Sequence, residues 1–131
     1  MLRVKSPLPE EIEQIVRATI GCCIAVHREL GPGLRERIYS LAAAIELAAA
    51  GIAFDREKRY PVIYRGQLLC DQHIDFIVAN TIVLEIKSVE QFAAIHHTQI
   101  VNYMRLAKLR VGLLINFNTI VLVDGISRKV L

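Results

Sequence analysis

The sequence contains only three cysteines, Cys22, Cys23 and Cys70. Their number is odd, two are adjacent, and none belongs to a Cys-x-x-Cys pair. Disulfide frameworks and zinc sites need paired or regularly spaced cysteines, so the sequence predicts neither. Free thiols are typical of a reducing compartment, and we therefore expect a cytoplasmic protein.

Long hydrophobic segments are also missing. The longest apolar run near the amino terminus covers residues 18–26, whereas a membrane-spanning helix needs ~20 apolar residues. Residues 1–14 contain no apolar core and no small-residue cleavage site, so we expect neither a signal peptide nor membrane association. The sequence contains no repeat or linker, and its length predicts a single domain over residues 1–131.

A strong charge bias is absent as well. The net charge of +3 is compatible with a polyanionic partner but is too small to identify one. Hydrophobic residues, in contrast, make up 53% of the chain. This fraction predicts that some apolar surface faces a partner, in a homodimer or a complex with another protein. The alternative is an alanine-rich core, because residues 42–44 and 48–50 are all alanine.

The hydrophobic pattern predicts helices alternating with strands. Apolar residues recur every three or four positions over residues 8–30, 34–50 and 92–107, which indicates three helices. Period-two alternation between turn residues indicates strands over residues 52–64, 67–69, 73–78, 82–87, 111–117, 120–123 and 126–130. This order predicts an α/β fold with a mixed central sheet flanked by helices.

The strands over residues 73–78 and 82–87 contain the main candidate catalytic residues. The even-numbered residues of both strands are all apolar, and a three-residue loop at 79–81 places them together on one face of the hairpin. A two-residue loop would instead place Asp75 opposite the apolar Leu84. With the three-residue loop, Asp75 lies opposite Glu85 and Lys87 shares their face. Two facing carboxylates repel each other unless a cation compensates, and Mg²⁺ prefers such oxygen ligands. The alternative is a solvated surface face with a Glu85–Lys87 ion pair.

These residues resemble a known signature. Asp75, followed after nine residues by Glu85-Ile86-Lys87, is similar to the Asp…Glu-x-Lys motif of the PD-(D/E)XK nuclease superfamily. Residues 33–39 read Gly-Leu-Arg-Glu-Arg-Ile-Tyr and resemble the motif of one bacterial family in it, the GxxExxY proteins. The resemblance covers roughly residues 10–131. One departure is Ile74, which replaces the proline before the first acid.

The resemblance implies a restriction-endonuclease-like fold and a set of site residues. Asp75 and Glu85 would bind the metal with the Ile86 carbonyl, and Glu36 would reach the metal directly or through water. Lys87 would orient the attacking water. Gln99 and Tyr103 resemble a Gln-x-x-x-Tyr motif in which the glutamine lies beside the metal. The implied cofactor is Mg²⁺, with Mn²⁺ as a substitute.

Several candidates have simpler interpretations. Glu36 could be a first-turn glutamate favoured by the helix dipole, and Gln99 could be a solvated helix residue. Tyr39 is expected to pack rather than react. His73 shares the Asp75 face and Arg35 flanks Glu36, so both join Tyr103 as candidate substrate-binding residues. No metal role is expected for the remaining histidines, which are His27, His96 and His97.

The sequence as a whole predicts a Mg²⁺-dependent nuclease acting on nucleic acid, with DNA favoured over RNA. Its catalytic residues would be Glu36, Asp75, Glu85, Lys87 and Gln99. One alternative is a catalytically silent module that keeps the fold and binds nucleic acid or a protein. The other is a structural partner subunit with a large apolar interface.

Overall fold

The computed structural model describes residues 8–131. The first two segments with helical periodicity form two consecutive helices. They are α1 (Glu10–Leu30) and α2 (Glu36–Ala49). Three glutamates in the first turn of α1 complement its dipole. Gly31 follows Leu30 with φ 69, a left-handed conformation that a glycine adopts without strain and that ends the helix.

After α2, the chain forms one mixed sheet, a third helix and a 3-10 helix. In chain order the elements are β1 (Phe54–Tyr64), β2 (Gln67–Val78), β3 (Ile82–Lys87), α3 (Ala94–Ala107), β4 (Val111–Asn116), the 3-10 helix Leu122–Gly125 and β5 (Ile126–Val130). The spatial order is β1-β2-β3-β4-β5. Only β3 and β4 are parallel, because α3 carries the chain back between them.

Hydrophobic clusters cover both faces of the sheet. One cluster packs α1 and α2 against the sheet, and the other packs α3 against the opposite face. The central strands β3 and β4 are therefore buried almost along their whole length. The predicted fold class is confirmed: the protein has an α/β fold with a mixed central sheet flanked by helices.

The predicted register of the central hairpin is also confirmed. Val78 pairs with Ile82 and Phe76 with Leu84, which leaves the three-residue loop at 79–81. Ala79 and Asn80 both adopt positive φ in this loop. The predicted pair Asp75–Glu85 would come next, but the ladder ends before it, so the two acids lie just beyond the last paired residues.

The predicted face of Ile74 is wrong. Ile74 belongs to the cluster under α3 with Ile77, whereas Phe76 belongs to the cluster under α1 and α2. The alternation of faces along β2 is therefore broken at Asp75, between Ile74 and Phe76. At the corresponding point of β1, Glu57 adopts φ 55, while the flanking pairs Arg56↔Phe76 and Lys58↔Ile74 keep their register.

The predicted strand over residues 120–123 is wrong as well. Ile120, Val121 and Val123 are exposed, and only Leu122 is buried, at the start of the 3-10 helix. A Cβ on Gly125 would lie 2.2 Å from the Asn116 carbonyl oxygen, so this segment folds back tightly onto the end of β4. The strands predicted over residues 67–69 and 73–78 are one continuous strand, β2.

No helix within residues 8–131 is long and apolar enough to cross a membrane. The prediction that no signal peptide is present rests partly on residues 1–7, which lie outside the described residues.

Candidate active site

The candidate site lies where β2 and β3 separate. Their ladder contains three residue pairs and ends at Phe76↔Leu84. Immediately beyond it, the Asp75 Oδ2 atom accepts a hydrogen bond of 3.0 Å from the Ile86 backbone N–H. This contact fixes the half-buried Asp75 carboxyl in the opening between the two strands.

Glu85 points into the same opening from β3. Only 5% of the residue is exposed, and its carboxyl lies close enough to that of Asp75 for each to affect the pKa of the other. Burial, followed by the charge of Asp75, raises the pKa of Glu85 to about 8. Burial also raises the pKa of Asp75. Without a cation, the pair therefore retains a proton near neutral pH.

Lys87 supplies the positive charge of the site. Its Nζ atom lies 3.7 Å from Glu85 Oε1, and the two side chains are only 14% and 7% exposed. The interpretation of this face as a solvated surface with an ion pair is therefore wrong, because the pair is buried. The ammonium lowers the pKa values of both Asp75 and Glu85 and partly opposes the effect of burial.

Glu36 reaches the site from the first position of α2. Its pKa is raised by burial and lowered by Lys87, and a hydrogen bond from the Ser88 backbone also lowers it. The Ser88 Oγ atom donates a hydrogen bond of 2.7 Å to the Leu34 carbonyl. The segment after β3 thus holds both Glu36 and the loop that precedes it.

Tyr39 explains the spacing of the motif over residues 33–39. The tyrosine is fully buried and stacks on Phe117, with ring centroids 4.6 Å apart. Its hydroxyl donates to the Gly31 carbonyl at 2.6 Å and accepts from the Leu34 N–H at 3.0 Å. Tyr39 packs, as expected, and its hydroxyl holds the loop from which Glu36 enters α2.

Replacing Tyr39 by phenylalanine should therefore weaken both the fold and the position of Glu36. The ring would still stack on Phe117, but the Gly31 carbonyl and the Leu34 N–H would lose their partner. We expect the free energy of unfolding to fall by about 1–2 kcal/mol in urea titrations. The exposed Tyr64→Phe is the matched control. Equal stability of Tyr39→Phe and the wild type would contradict this role of the hydroxyl.

Gln99 and Tyr103 approach the carboxyl pair from α3. Tyr103 is buried, and its hydroxyl accepts a hydrogen bond of 3.3 Å from Gln72 Nε2. Burial raises the pKa of Tyr103, and the charges of Glu85 and Asp75 raise it further. Gln99 lies within hydrogen-bonding reach of Tyr103, while its own Oε1 is buried without a partner among the described residues.

The other predicted substrate-binding residues lie outside this group. His73 and Arg35 are both exposed, and within residues 8–131 neither side chain bonds to Glu36, Asp75, Glu85 or Lys87. His96 lies near enough to Glu36 to lower the pKa of that carboxyl. Its Nδ1 atom accepts a hydrogen bond from the Ala93 N–H.

A cleft beside the carboxyl pair contains four residues outside the predicted catalytic and metal-binding set. The cleft has a volume of about 310 Å³, and Glu36, Asp75, Arg37, Ser40, Arg56 and Glu57 line it. The charge of Glu57 raises the pKa of Asp75. Glu57 lies within a continuous stretch of charged residues at 55–59, and no sequence signal marks its positive φ.

The donor set fits a divalent cation. The Glu85 Oε2 atom is buried and has no hydrogen-bond partner among residues 8–131, although a buried carboxylate oxygen normally has one. Carboxylates are the ligands that Mg²⁺ and Mn²⁺ prefer. Within the same residues, however, no three His, Cys, Asp or Glu side chains already form a metal-binding group. Further ligands would therefore have to come from Glu36, which also faces the site, from backbone carbonyls, from water or from the substrate.

A mixed sheet between helices, with two acids and a lysine where its strands separate, defines a restriction-endonuclease-like protein. The family model described as the PD-(D/E)XK nuclease superfamily matches residues 13–129. The chain therefore belongs to the PD-(D/E)XK nuclease superfamily, whose members generally use divalent metal ions. Comparisons with curated proteins and with solved structures give no significant match.

Proposed function

We propose that the protein is a Mg²⁺-dependent nuclease that hydrolyses phosphodiester bonds in DNA, and that it belongs to the GxxExxY family. The observation that carries this proposal is the buried, unpartnered Glu85 Oε2 atom beside Asp75, with the Lys87 ammonium 3.7 Å from the other oxygen of Glu85. A structural ion pair would have no reason to leave that oxygen without a partner.

In this proposal Asp75 and Glu85 hold the metal, with the Ile86 carbonyl and Glu36 completing the protein ligands. The metal would polarise the phosphate and lower the pKa of a bound water. The Lys87 ammonium, which is nearly buried, would orient the attacking water and offset charge that develops on the phosphate. Gln99 would orient groups beside the metal, and Tyr103, His73 and Arg35 would contact the substrate.

The alternative function is a catalytically silent nuclease-fold module that binds nucleic acid or a protein. It is favoured by the lack, among residues 8–131, of three side chains that already form a metal-binding group. Retention of all four charged residues, Glu36, Asp75, Glu85 and Lys87, supports catalysis instead.

We also propose that residues 1–131 form one domain, that the protein is cytoplasmic, and that it works as a homodimer or with a partner protein. Ile38, Leu41 and Ile45 are 41%, 45% and 69% exposed and recur at helical spacing on α2. An exposed apolar stripe of this kind supports a protein interface.

Calorimetric titration with Mg²⁺ and Mn²⁺, combined with a plasmid-nicking assay, tests the proposed function. The wild type should bind metal and nick DNA. Asp75→Asn should remain folded but should neither bind metal nor nick DNA. Asp71→Asn, at an exposed position of the same strand, is the control and should behave like the wild type. Metal binding without nicking would favour the silent module, and no metal binding would contradict the metal site.

A further inference from the structure

Arg56 is the half-buried cation of the cleft beside the carboxyl pair. It lies on β1 opposite Phe76, and its side chain is 26% exposed. The Nε–H group donates a hydrogen bond of 3.1 Å to Ser40 Oγ on α2, and Ser40 is itself buried. A guanidinium fixed in this way on one side presents its two terminal nitrogens in a defined orientation.

Those terminal nitrogens are not used by the fold. Of the five N–H donors of Arg56, only the one on Nε makes a hydrogen bond to another described residue. Glu57 Oε1 lies 3.9 Å from Nη2, beyond hydrogen-bonding distance, and the Glu57 side chain is 65% exposed. Because Glu57 is exposed and the two groups are 3.9 Å apart, this ion pair contributes little, and the terminal N–H donors of Arg56 are free to bind another ligand.

The charges of the cleft restrict what that ligand is. A paired set of unused guanidinium donors fits the oxygens of a phosphate, which can accept two of them at once. Three carboxylates line the same cleft with the guanidinium groups of Arg37 and Arg56, and this excess of acids disfavours a small free anion. A polynucleotide overcomes this repulsion because a metal on Asp75 and Glu85 would hold one phosphate while Arg56 holds its neighbour.

We infer that Arg56, positioned by Ser40, binds the phosphate next to the one that is cleaved. This inference rests on the proposed function for the identity of the ligand. Arg56 would then set the position of the strand in the cleft and take no part in bond breaking.

Fluorescence anisotropy with a fluorescein-labelled DNA duplex tests this contact independently of cleavage. The proteins carry Lys87→Ala, which is expected to prevent turnover while leaving the metal bound, and are titrated in Mg²⁺ at several salt concentrations. Adding Arg56→Gln should weaken binding about tenfold. It should also reduce the slope of log affinity against log salt by ~0.9, as expected for the loss of one phosphate contact.

Two further variants separate geometry from charge. Arg28→Gln removes the same charge from an exposed position at the end of α1 and should change neither quantity. Arg56→Lys should keep the slope of log affinity against log salt, because the charge is retained. It should still lower the affinity, because an ammonium cannot offer the two parallel N–H donors of a guanidinium that Ser40 orients. Equal effects of Arg56→Gln and Arg28→Gln would overturn the inference, as would a protein that does not bind the duplex.

Cleavage kinetics in the wild-type background distinguish this contact from the catalytic proposal. Arg56→Gln should raise KM about tenfold and leave kcat nearly unchanged, since the contact exists before and during the reaction. A fall in kcat with unchanged KM would overturn the positioning role. DNA binding that depends on Arg56 without any cleavage would support the inference while contradicting the nuclease proposal.

Discussion

Replacing Glu85 by glutamine should abolish metal-dependent cleavage and, at the same time, stabilise the metal-free protein as the pH rises. The pKa of Glu85 is about 8 in the fold, against an ordinary value of 4.5. Between these values the folded chain holds a proton that the unfolded chain has released, so the wild type loses stability as the pH increases. Glutamine has a similar shape and never ionises.

The difference in stability between Glu85→Gln and the wild type should therefore grow from about pH 4.5 to about 8 and then remain constant. We expect its growth to be on the order of 1 kcal/mol per pH unit. Urea titrations of both proteins in EDTA across this range measure it. Glu90→Gln, at an exposed position after β3, should show no such trend.

Adding Mg²⁺ should reverse the order of stability. The ion requires both carboxyls to be ionised, so its binding to the wild type should release a proton and strengthen as the pH approaches 8. The wild type should gain stability with metal concentration, whereas Glu85→Gln should not. A metal-free Glu85→Gln protein that is less stable than the wild type at pH 8 would mean that the carboxyl has a structural role.

Replacing Lys87 by alanine should remove cleavage while leaving the metal bound. The Lys87 ammonium lies next to Glu85. Without it, the attacking water would lose the group that is proposed to orient it. We expect kcat to fall about 10²–10⁴-fold. Lys87 also lowers the pKa values of Asp75 and Glu85, so its removal should make both carboxyls harder to ionise. Metal binding to the two proteins should therefore be compared above pH 8, where the carboxyls ionise most readily.

The control for this variant is Lys129→Ala on β5, which removes the same charge from the far side of the sheet. It should retain wild-type cleavage. Cleavage by Lys87→Ala at the wild-type rate would dismiss the proposed role of the ammonium. Loss of metal binding above pH 8 would instead assign Lys87 to the structure of the carboxyl pair.

The register of the central hairpin could be predicted because two independent signals agree. The apolar residues of both strands fit one face only with a loop of odd length, and Asn80 tolerates the positive φ that this loop requires. The positions of Asp75 and Glu85 follow from that register. Glu36 could be located only through the resemblance, since its place beside Lys87 depends on how α2 docks.

The errors arise where tertiary contacts override a local pattern. Ile74 changes face because the alternation along β2 is broken between Ile74 and Phe76, next to the positive φ of Glu57 on β1, and no sequence signal marks this irregularity. The four residues at 120–123 are all apolar and β-prone, yet the chain bends at 120–121 and begins a 3-10 helix at Leu122, where Gly125 approaches Asn116 closely. Arg56 could not be distinguished from the other charged residues at 55–59, because Ser40, which orients it, lies on another element.

The strands lie in the sheet in the same order as in the chain, and this order affects when the site forms during folding. Each strand pairs with the next one along the chain, so the sheet can grow by nearby closures, which are fast. The hydrogen bond from Ser88 to Leu34, in contrast, joins residues 54 positions apart. We expect Asp75 and Glu85 to meet early in folding and Glu36 to join them only when the helices dock.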